Sequence, residues 1–213
     1  SGCKIQGLQI DGNKATYTSI YNSGIYLYSS SNNTVTGNTC NNNYYGIYLY
    51  SSIRNNTITG NTCNNNRDSG IYLYSSSNNT ITGNTCYNNS GYGIYLRSSS
   101  NNNTVTGNTC NNNYYYGIHL YSSSNNTVTG NTCNNNYYSG IYLRSSSNNT
   151  VTGNTCIRGT GQTSDYASDQ YTIRLEGTGN KYNLISSNNC MGKAVVIDDG
   201  TGNSAWGNKY DSG

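Results

Sequence analysis

Apolar and polar residues alternate in short blocks along most of the chain, and the same blocks recur. One block reads Gly-Ile-Tyr-Leu-Tyr from Gly24, and another reads Thr-Val-Thr from Thr34. Alternation of this kind points successive side chains to opposite faces of a β-strand, so each block predicts a short strand. Gly, Asn and Ser separate the blocks and leave no room for a helix.

The blocks return with a period of 22–24 residues. Six near-identical units begin at Gly24, Gly46, Gly70, Gly93, Gly117 and Gly140. No single unit carries enough apolar surface to fold alone, whereas stacked units share a continuous core. The sequence therefore predicts an all-β chain that forms a parallel β-helix, or β-solenoid, of about nine coils with 22–24 residues per coil.

The repeats resemble those of a known family. The blocks Gly-Ile-Tyr-Leu, Asn-Asn-Thr-Val/Ile-Thr-Gly-Asn and Asn-Asn over residues 24–156 are similar to the right-handed parallel β-helix repeats of the NosD-like, carbohydrate-binding and sugar-hydrolase type, as in archaeal and bacterial cell-surface proteins. Residues 5–12 and 203–208 match the pattern less closely, with Ile10 where the repeats carry Cys. The resemblance implies a right-handed helix, and it leaves two functional classes open, polysaccharide enzymes and non-catalytic surface proteins.

A single domain is expected over residues 1–213. It comprises an N-terminal coil (3–23), the six repeats (24–156), an inserted loop (157–172) and C-terminal coils (173–213). The loop is inferred because Ile141 and Ile173 lie about nine residues further apart than one repeat. Insertions in solenoids often mark the contact face, but a tolerated surface loop explains this one equally well.

Composition argues against several partners. Only 9% of the residues are charged, and 11 basic and 8 acidic residues give a net charge of +3 with no Lys/Arg cluster. Nucleic acid binding is therefore not expected. No apolar run approaches the length of a membrane span, so membrane insertion is not expected either.

Carboxylates are scarce where a catalytic site would need them. A β-helical hydrolase or lyase requires clustered acids, but the six repeats contain only Asp68. The sequence therefore predicts no catalytic residues and no enzyme, although the acids toward the C-terminal end could in principle converge. The eight acids are Asp11, Asp68, Asp165, Asp169, Glu176, Asp198, Asp199 and Asp211.

Six cysteines recur once per repeat at an inward position, which predicts a buried ladder. Short Cys spacings are absent and His119 is the only histidine, so neither a metal site nor a cofactor is expected. Neighbouring rungs lie about 4.8 Å apart, further than a disulfide prefers, so thiols are favoured over disulfides. Cys3 and Cys190 fall outside the ladder and are candidates for cross-links between chains. The ladder consists of Cys40, Cys63, Cys86, Cys110, Cys133 and Cys156.

The outward positions of Ile-Tyr-Leu-Tyr form two columns of predominantly aromatic residues, which we interpret as a candidate interaction face. Tyrosine stacks on sugar rings and on other tyrosines alike, so reinforcement of its own sheet is an alternative. The first column is Tyr26, Tyr48, Tyr72, Tyr95, His119 and Tyr142. The second column is Tyr28, Tyr50, Tyr74, Arg97, Tyr121 and Arg144.

Three further features recur once per coil. Asn-x-Thr sequons, with one additional Asn-x-Ser sequon at Asn88, are candidate N-glycosylation sites, or chance products of an Asn/Thr-rich repeat; they lie at Asn32, Asn55, Asn78, Asn88, Asn102, Asn125 and Asn148. The paired threonines from Thr34 and Thr36 onward form a regular outward face that resembles those of ice-binding proteins. The asparagine after each Thr-x-Thr-Gly, Asn38 and its equivalents, is expected to form a structural ladder.

These patterns favour a non-enzymatic structural protein of the cell surface or extracellular space. No capping helix is evident, so either the caps lie outside this piece or identical chains stack into a filament, sheath or layer. Copies of itself are the expected partners, with glycans as a second class. The alternatives are a carbohydrate-binding or polysaccharide-processing module, as in an adhesin or tail fibre, and an ice-binding protein.

Overall fold

The computed structural model describes residues 2–13, 16, 21–51, 53–157, 171–191, 196–197 and 200–210. These residues form short β-strands joined by turns, with no helix among them. Residues 158–170 of the inserted loop predicted at 157–172 lie outside the described residues. Five of the eight acids also lie outside them: Asp165, Asp169, Asp198, Asp199 and Asp211. A single domain over 1–213 stays a prediction.

In chain order the strands are β1 Lys4–Gln6, β2 Gln9–Asp11, β3 Ser23–Tyr28, β4 Thr34–Thr36, β5 Thr39–Asn41, β6 Tyr45–Tyr50, β7 Thr57–Thr59, β8 Ile71–Tyr74, β9 Thr80–Thr82, β10 Ile94–Arg97, β11 Thr104–Thr106, β12 Tyr116–Tyr121, β13 Thr127–Thr129, β14 Ser139–Arg144, β15 Thr150–Thr152, β16 Tyr171–Glu176, β17 Asn180–Lys181, β18 Leu184–Ser186, β19 Asn189–Cys190, β20 Val196–Ile197, β21 Gly200–Thr201, β22 Ser204–Trp206 and β23 Lys209–Tyr210.

Two long parallel sheets run along the molecule. The threonine sheet has nine strands in the order β1-β4-β7-β9-β11-β13-β15-β18-β22, and the tyrosine sheet has eight in the order β20-β16-β14-β12-β10-β8-β6-β3. Each strand pairs in register with its equivalent one coil away, as Ile94 does with Ile118 and Val105 with Val128. Short bridges such as Thr109 to Thr132 form a third line of pairing. The predicted parallel β-helix is confirmed.

The coil count is about seven, so the prediction of nine was too high. Seven coils contain a strand of at least four residues in the tyrosine sheet and a three-residue strand in the threonine sheet, from β3 with β4 to β16 with β18. At the N-terminal end, β1 and β2 pair with β4 and β5, but no described strand pairs with the outer edge of β3 in the tyrosine sheet. At the C-terminal end, the tyrosine sheet finishes with β20, a two-residue strand that pairs with β16. The two weaker sequence matches, at residues 5–12 and 203–208, therefore belong to partial coils.

The core is a set of ladders of identical inward side chains. The Ile and Leu of each Ile-Tyr-Leu-Tyr block and the Val or Ile of each Thr-x-Thr block are almost completely buried. In-register stacking explains this, because each residue packs on its own copies in the coils above and below. Every coil thus buries the apolar surface that it would expose alone.

The cysteine ladder is longer than the sequence predicts. Cys156 N donates to Asn189 O at 2.8 Å, and Cys190 is buried within the same core cluster as the six ladder cysteines. The assignment of Cys190 as a cross-link candidate was therefore wrong, since the coil after the insertion resumes the repeat register. Cys190 and the ladder cysteines are free buried thiols, and burial raises the pKa of Cys86, Cys110 and Cys133.

Buried asparagines tie the corners of adjacent coils together. Asn108 Nδ2 donates to Ile81 O at 2.9 Å and to Asn131 Oδ1 at 3.0 Å, and Asn84 donates to Asn108 Oδ1 in turn. The predicted ladder of Asn38 and its equivalents is confirmed. Two further ladders occupy the other turns, one running through Asn79 and Asn103 and one through Asn89 and Asn113. They satisfy backbone groups that would otherwise be buried without partners.

Candidate functional site

The outer surface of the tyrosine sheet places the two predicted columns side by side. Register pairing aligns Tyr72, Tyr95 and His119 in the first column, and Tyr74, Arg97 and Tyr121 in the second. The columns follow the rod at the rung spacing of about 4.8 Å. A linear surface with one side chain per rung and per column results.

The first column is covered over most of its length, contrary to the expectation of an exposed face. Tyr72 and Tyr95 are only 5% and 8% exposed, and His119 and Tyr142 are also buried. Tyrosines that precede the repeat glycines cause this burial: the Tyr92 ring centroid lies 4.4 Å from that of Tyr95. The other covering tyrosines are Tyr45 and Tyr116. The sequence shows these residues beside the glycines, but not that they fold back over the sheet.

The first column is therefore a packed aromatic stack. The ring centroids of Tyr48 and Tyr72 lie 4.8 Å apart with an interplanar angle of 6°, and those of Tyr95 and His119 lie 4.6 Å apart at 2°. Aromatic pairs of this kind each stabilise a fold by roughly 0.5–1.5 kcal/mol beyond area burial. The alternative in which tyrosines reinforce their own sheet describes most of this column, although Tyr26 at its end is exposed.

The second column stays open to solvent. Tyr28 is 57% exposed, Arg97 and Arg144 are exposed, and Tyr50, Tyr74 and Tyr121 are half-buried. The Arg97 guanidinium carbon lies 6.0 Å from the Tyr74 ring centroid and 5.8 Å from that of Tyr121, and Arg144 lies 5.6 Å from Tyr121. These cation–π contacts hold both guanidinium groups along the column. Of the two columns, the second is the one that a ligand can reach.

His119 is an unusual member of the first column. It stacks between Tyr95 and Tyr142, whose ring centroids lie 4.6 and 4.8 Å away. Neither ring nitrogen has a hydrogen-bond partner among the described residues. Burial, with smaller contributions from the positive charges of Arg144 and Arg97, lowers the pKa of His119 to about 3. The imidazole is therefore neutral at physiological pH and acts as one more aromatic ring.

Two carboxylates lie beside the columns. Asp68 sits in the turn before β8 and accepts a hydrogen bond from Ser69 Oγ at 2.7 Å, and burial raises its pKa. Glu176 Oε2 lies 3.0 Å from Arg174 Nη2 and accepts a hydrogen bond from Tyr142 Oη at 2.6 Å. The tyrosine sheet separates these two acids by several coils, so they do not form a pair.

The remaining predicted residues lie elsewhere on the surface. All seven sequon asparagines are exposed and adopt positive φ, as at Asn102 (57°). Cys3 is exposed. The paired threonines align in register on the threonine sheet, where Thr104 pairs with Thr127 and Thr106 with Thr129. Glycosylation, cross-linking and ice binding at these positions stay predictions.

Comparison with known proteins identifies the family. The model of the family described as "Right handed beta helix region" matches residues 1–156 and 99–212. The chain belongs to the right-handed β-helix family. The resemblance seen in the repeats is thereby confirmed, and the match extends over the terminal coils of this β-helix.

Solved structures share the fold of this β-helix at low sequence identity. The Dettilon tailspike protein gp208 has a TM-score of 0.75 and 21% identity, covering 98% of this chain and 47% of its own. DFA-IIIase from Arthrobacter chlorophenolicus A6 in complex with GF2 has a TM-score of 0.72 and 17% identity, and the match covers 90% of this chain and 51% of DFA-IIIase. The periplasmic alginate epimerase AlgG has a TM-score of 0.67 and 24% identity, and the match covers 88% of this chain and 47% of AlgG.

This β-helix spans about half the length of each of these three proteins. None of the curated proteins with which it was compared matches it. In the part of the chain that the structure describes, no helix is long and apolar enough to cross a membrane. Identities below 25% establish a common fold, and the functional residues must be argued from this chain itself.

Proposed function

We propose that this β-helix binds a polysaccharide along the second column of the tyrosine sheet. The observation that carries the proposal is the exposed Tyr/Arg column, which presents one side chain per rung along the rod. Tyrosine rings stack on the apolar faces of sugar rings. A ligand that is itself a chain of similar units matches a surface that repeats from coil to coil.

The structural neighbours support this function more than the filament that the sequence favours. They include an alginate epimerase and a tailspike protein. This favours the alternative raised by the sequence, a carbohydrate-binding or polysaccharide-processing module, over the filament. The exclusion of an enzyme has no support either, because an epimerase is among these neighbours. Assembly into a filament, sheath or layer remains a prediction without a supporting contact.

The same neighbours bear on where the protein acts. AlgG is described as periplasmic, and gp208 is a tailspike protein. We place this β-helix outside the cytoplasm, in agreement with the extracellular or cell-surface location expected from the sequence. Seven exposed sequon asparagines are compatible with that environment.

Binding to a panel of soluble polysaccharides tests the proposal. We expect Tyr74→Ala/Tyr121→Ala to weaken binding by about 5- to 140-fold, because each lost stacking contact removes roughly 0.5–1.5 kcal/mol. The matched control Thr104→Ala/Thr127→Ala removes exposed side chains from the opposite sheet and should leave affinity unchanged. Thermal unfolding of both variants verifies that the rod is intact.

Two results would overturn this assignment. Equal loss of affinity in the threonine control would show that the second column is not the binding surface. Absence of binding across the whole panel would remove the function itself. In that case electron microscopy over a range of protein concentrations tests the filament, and thermal hysteresis tests ice binding by the threonine array.

Catalysis is a second candidate, favoured by Asp68. Asp68 is half-buried in the turn before β8, and burial raises the pKa of its carboxyl, the change that suits a carboxyl group to donate a proton at moderate pH. A polysaccharide bound on the second column would lie near this group. Loss of viscosity of the bound polymer, abolished by Asp68→Asn without loss of binding, would establish an enzyme.

A further inference from the structure

The second column carries positive charge on alternate rungs. Arg97 pairs in register with Tyr121, and Tyr121 pairs with Arg144. The two guanidinium groups are therefore separated by two rungs, or about 10 Å, with an aromatic ring between them. The other repeats hold tyrosine at the arginine positions, so the charge is confined to the C-terminal half of the column.

Neither arginine forms an ion pair within the described part of the chain, although Glu176 pairs in register with Arg144. The three carboxylates described there are Asp11, Asp68 and Glu176. Asp11 lies at the N-terminal end beside Asn13 and Asn42, and Glu176 forms its ion pair with Arg174. Asp68 is half-buried in the turn before β8 and accepts a hydrogen bond from Ser69 Oγ. Arg97 lowers the pKa of its carboxyl by less than burial raises it.

The direction of the pKa shift of His119 agrees with positive charge near this rung. The pKa of His119, which stands beside Tyr121 on strand β12, is lowered first by burial and then by Arg144 and Arg97. The electrostatic effect of both arginines thus converges on the rung between them. An anion that bound there would meet two cations. The nearby acids of the described chain are Glu176, which follows Arg144 in the column and is ion-paired with Arg174, and Asp68, which the charge of Arg97 reaches.

We propose that the polysaccharide is acidic and that it presents a carboxylate to Arg97 and to Arg144, with the intervening sugar stacked on Tyr121. This inference rests on the proposed function and names its substrate class. Carboxylates that face the protein about 10 Å apart along the polymer coincide with the two arginines.

The chemistry of the side chains supports a carboxylate in particular. A guanidinium group is planar and always charged, and its fork of N–H donors matches a carboxylate with two parallel hydrogen bonds. Both groups are exposed and lie against Tyr74 and Tyr121 in cation–π contacts, and Arg97 also hydrogen-bonds the Tyr72 side chain. Neither forms an ion pair in the described part of the chain, so N–H donors of each guanidinium group can bind an anion.

The experiment compares polygalacturonate with its methyl ester, which has the same sugar backbone without the charge. We expect the parent protein to bind polygalacturonate at least tenfold more tightly, with an affinity that falls as salt rises. Arg97→Gln/Arg144→Gln should lose this preference and bind both polymers as weakly as the parent binds the ester. The control Arg54→Gln/Lys181→Gln removes two exposed positive charges away from the column and should retain the preference.

The outcomes separate this inference from the proposed function. Equal binding of the parent to both polymers, or binding only to neutral members of the polysaccharide panel, overturns the acidic class and leaves polysaccharide binding in place. A control variant that loses the preference as fully as the arginine variant overturns the assignment to Arg97 and Arg144. If the parent binds no polysaccharide at all, both proposals fail.

Discussion

At the scale of the residue, His119 shows how burial overrides the usual chemistry of a side chain. Its position in the repeat belongs to tyrosine in five of the six units. The ring keeps its place in the stack between Tyr95 and Tyr142, but its two nitrogens lose water without gaining partners among the described residues. A buried polar group without a hydrogen bond destabilises a fold.

This environment predicts a pH-dependent penalty. The pKa of His119 is about 3 in the folded state, against 6.5 for a fully solvated histidine side chain, so the unfolded chain binds the proton more strongly. Stability should therefore fall as pH decreases from about 6.5 toward 3. We expect His119→Tyr to remove this component, so that the difference in unfolding free energy between variant and parent grows over that range.

Urea unfolding at several pH values measures that difference. Comparison with the parent cancels the titration of other groups, including Asp68, whose raised pKa acts in the opposite direction. A difference in stability that is constant from pH 7 to pH 4 would contradict the burial of a neutral imidazole.

At the scale of the element, the strands depend on glycines of two kinds. Gly107 adopts φ +62° at the corner after β11, and a Cβ there would meet open space. At Gly117, inside β12, a Cβ would lie 2.6 Å from Gly140 O and 2.9 Å from Cys110 O. The first glycine permits a turn, and the second lets neighbouring coils approach each other.

The two kinds of glycine predict different costs for the same substitution. Gly107→Ala should destabilise by about 1–2 kcal/mol, the cost of a left-handed conformation. Gly117→Ala should destabilise more, by about 3 kcal/mol, because overpacking against backbone atoms displaces the rungs. Chemical denaturation of both variants measures the ranking, and equal or reversed effects would contradict the tight contact at Gly117.

At the scale of the whole molecule, stability is distributed along the rod. Each coil contacts its two neighbours, so the protein should tolerate the loss of a complete coil better than the loss of part of one. Deletion of residues 94–117 joins Gly93 to Ile118 and keeps every strand in register. We expect a folded, less stable rod that is shorter by about 4.8 Å.

The matched control deletes residues 94–105, about half a coil. It brings unlike strands together and turns inward residues outward, so it should unfold or aggregate. Circular dichroism and the maximum dimension from small-angle scattering distinguish the two deletions. Loss of structure in both would show that the coils do not act as separable units.

The candidate site divides into parts that the sequence reveals and parts that it conceals. The columns were predictable, because period-two alternation and a fixed repeat place Tyr74, Arg97 and Tyr121 on one face in one line. Their unequal exposure was not predictable. It arises because Tyr92 and its equivalents, which look like members of a polar turn, fold back over the first column.

The local pattern of this chain thus specifies the β-helix, its register, its inward ladders and the corner asparagines, because each depends on short-range alternation repeated at a constant interval. The number of complete coils, the place of Cys190 in the ladder and the solvent exposure of each tyrosine depend on contacts between residues far apart in the chain. Those contacts form only when the coils stack, since burial is a property of the assembled rod. The second column is the surface that remains open after that packing.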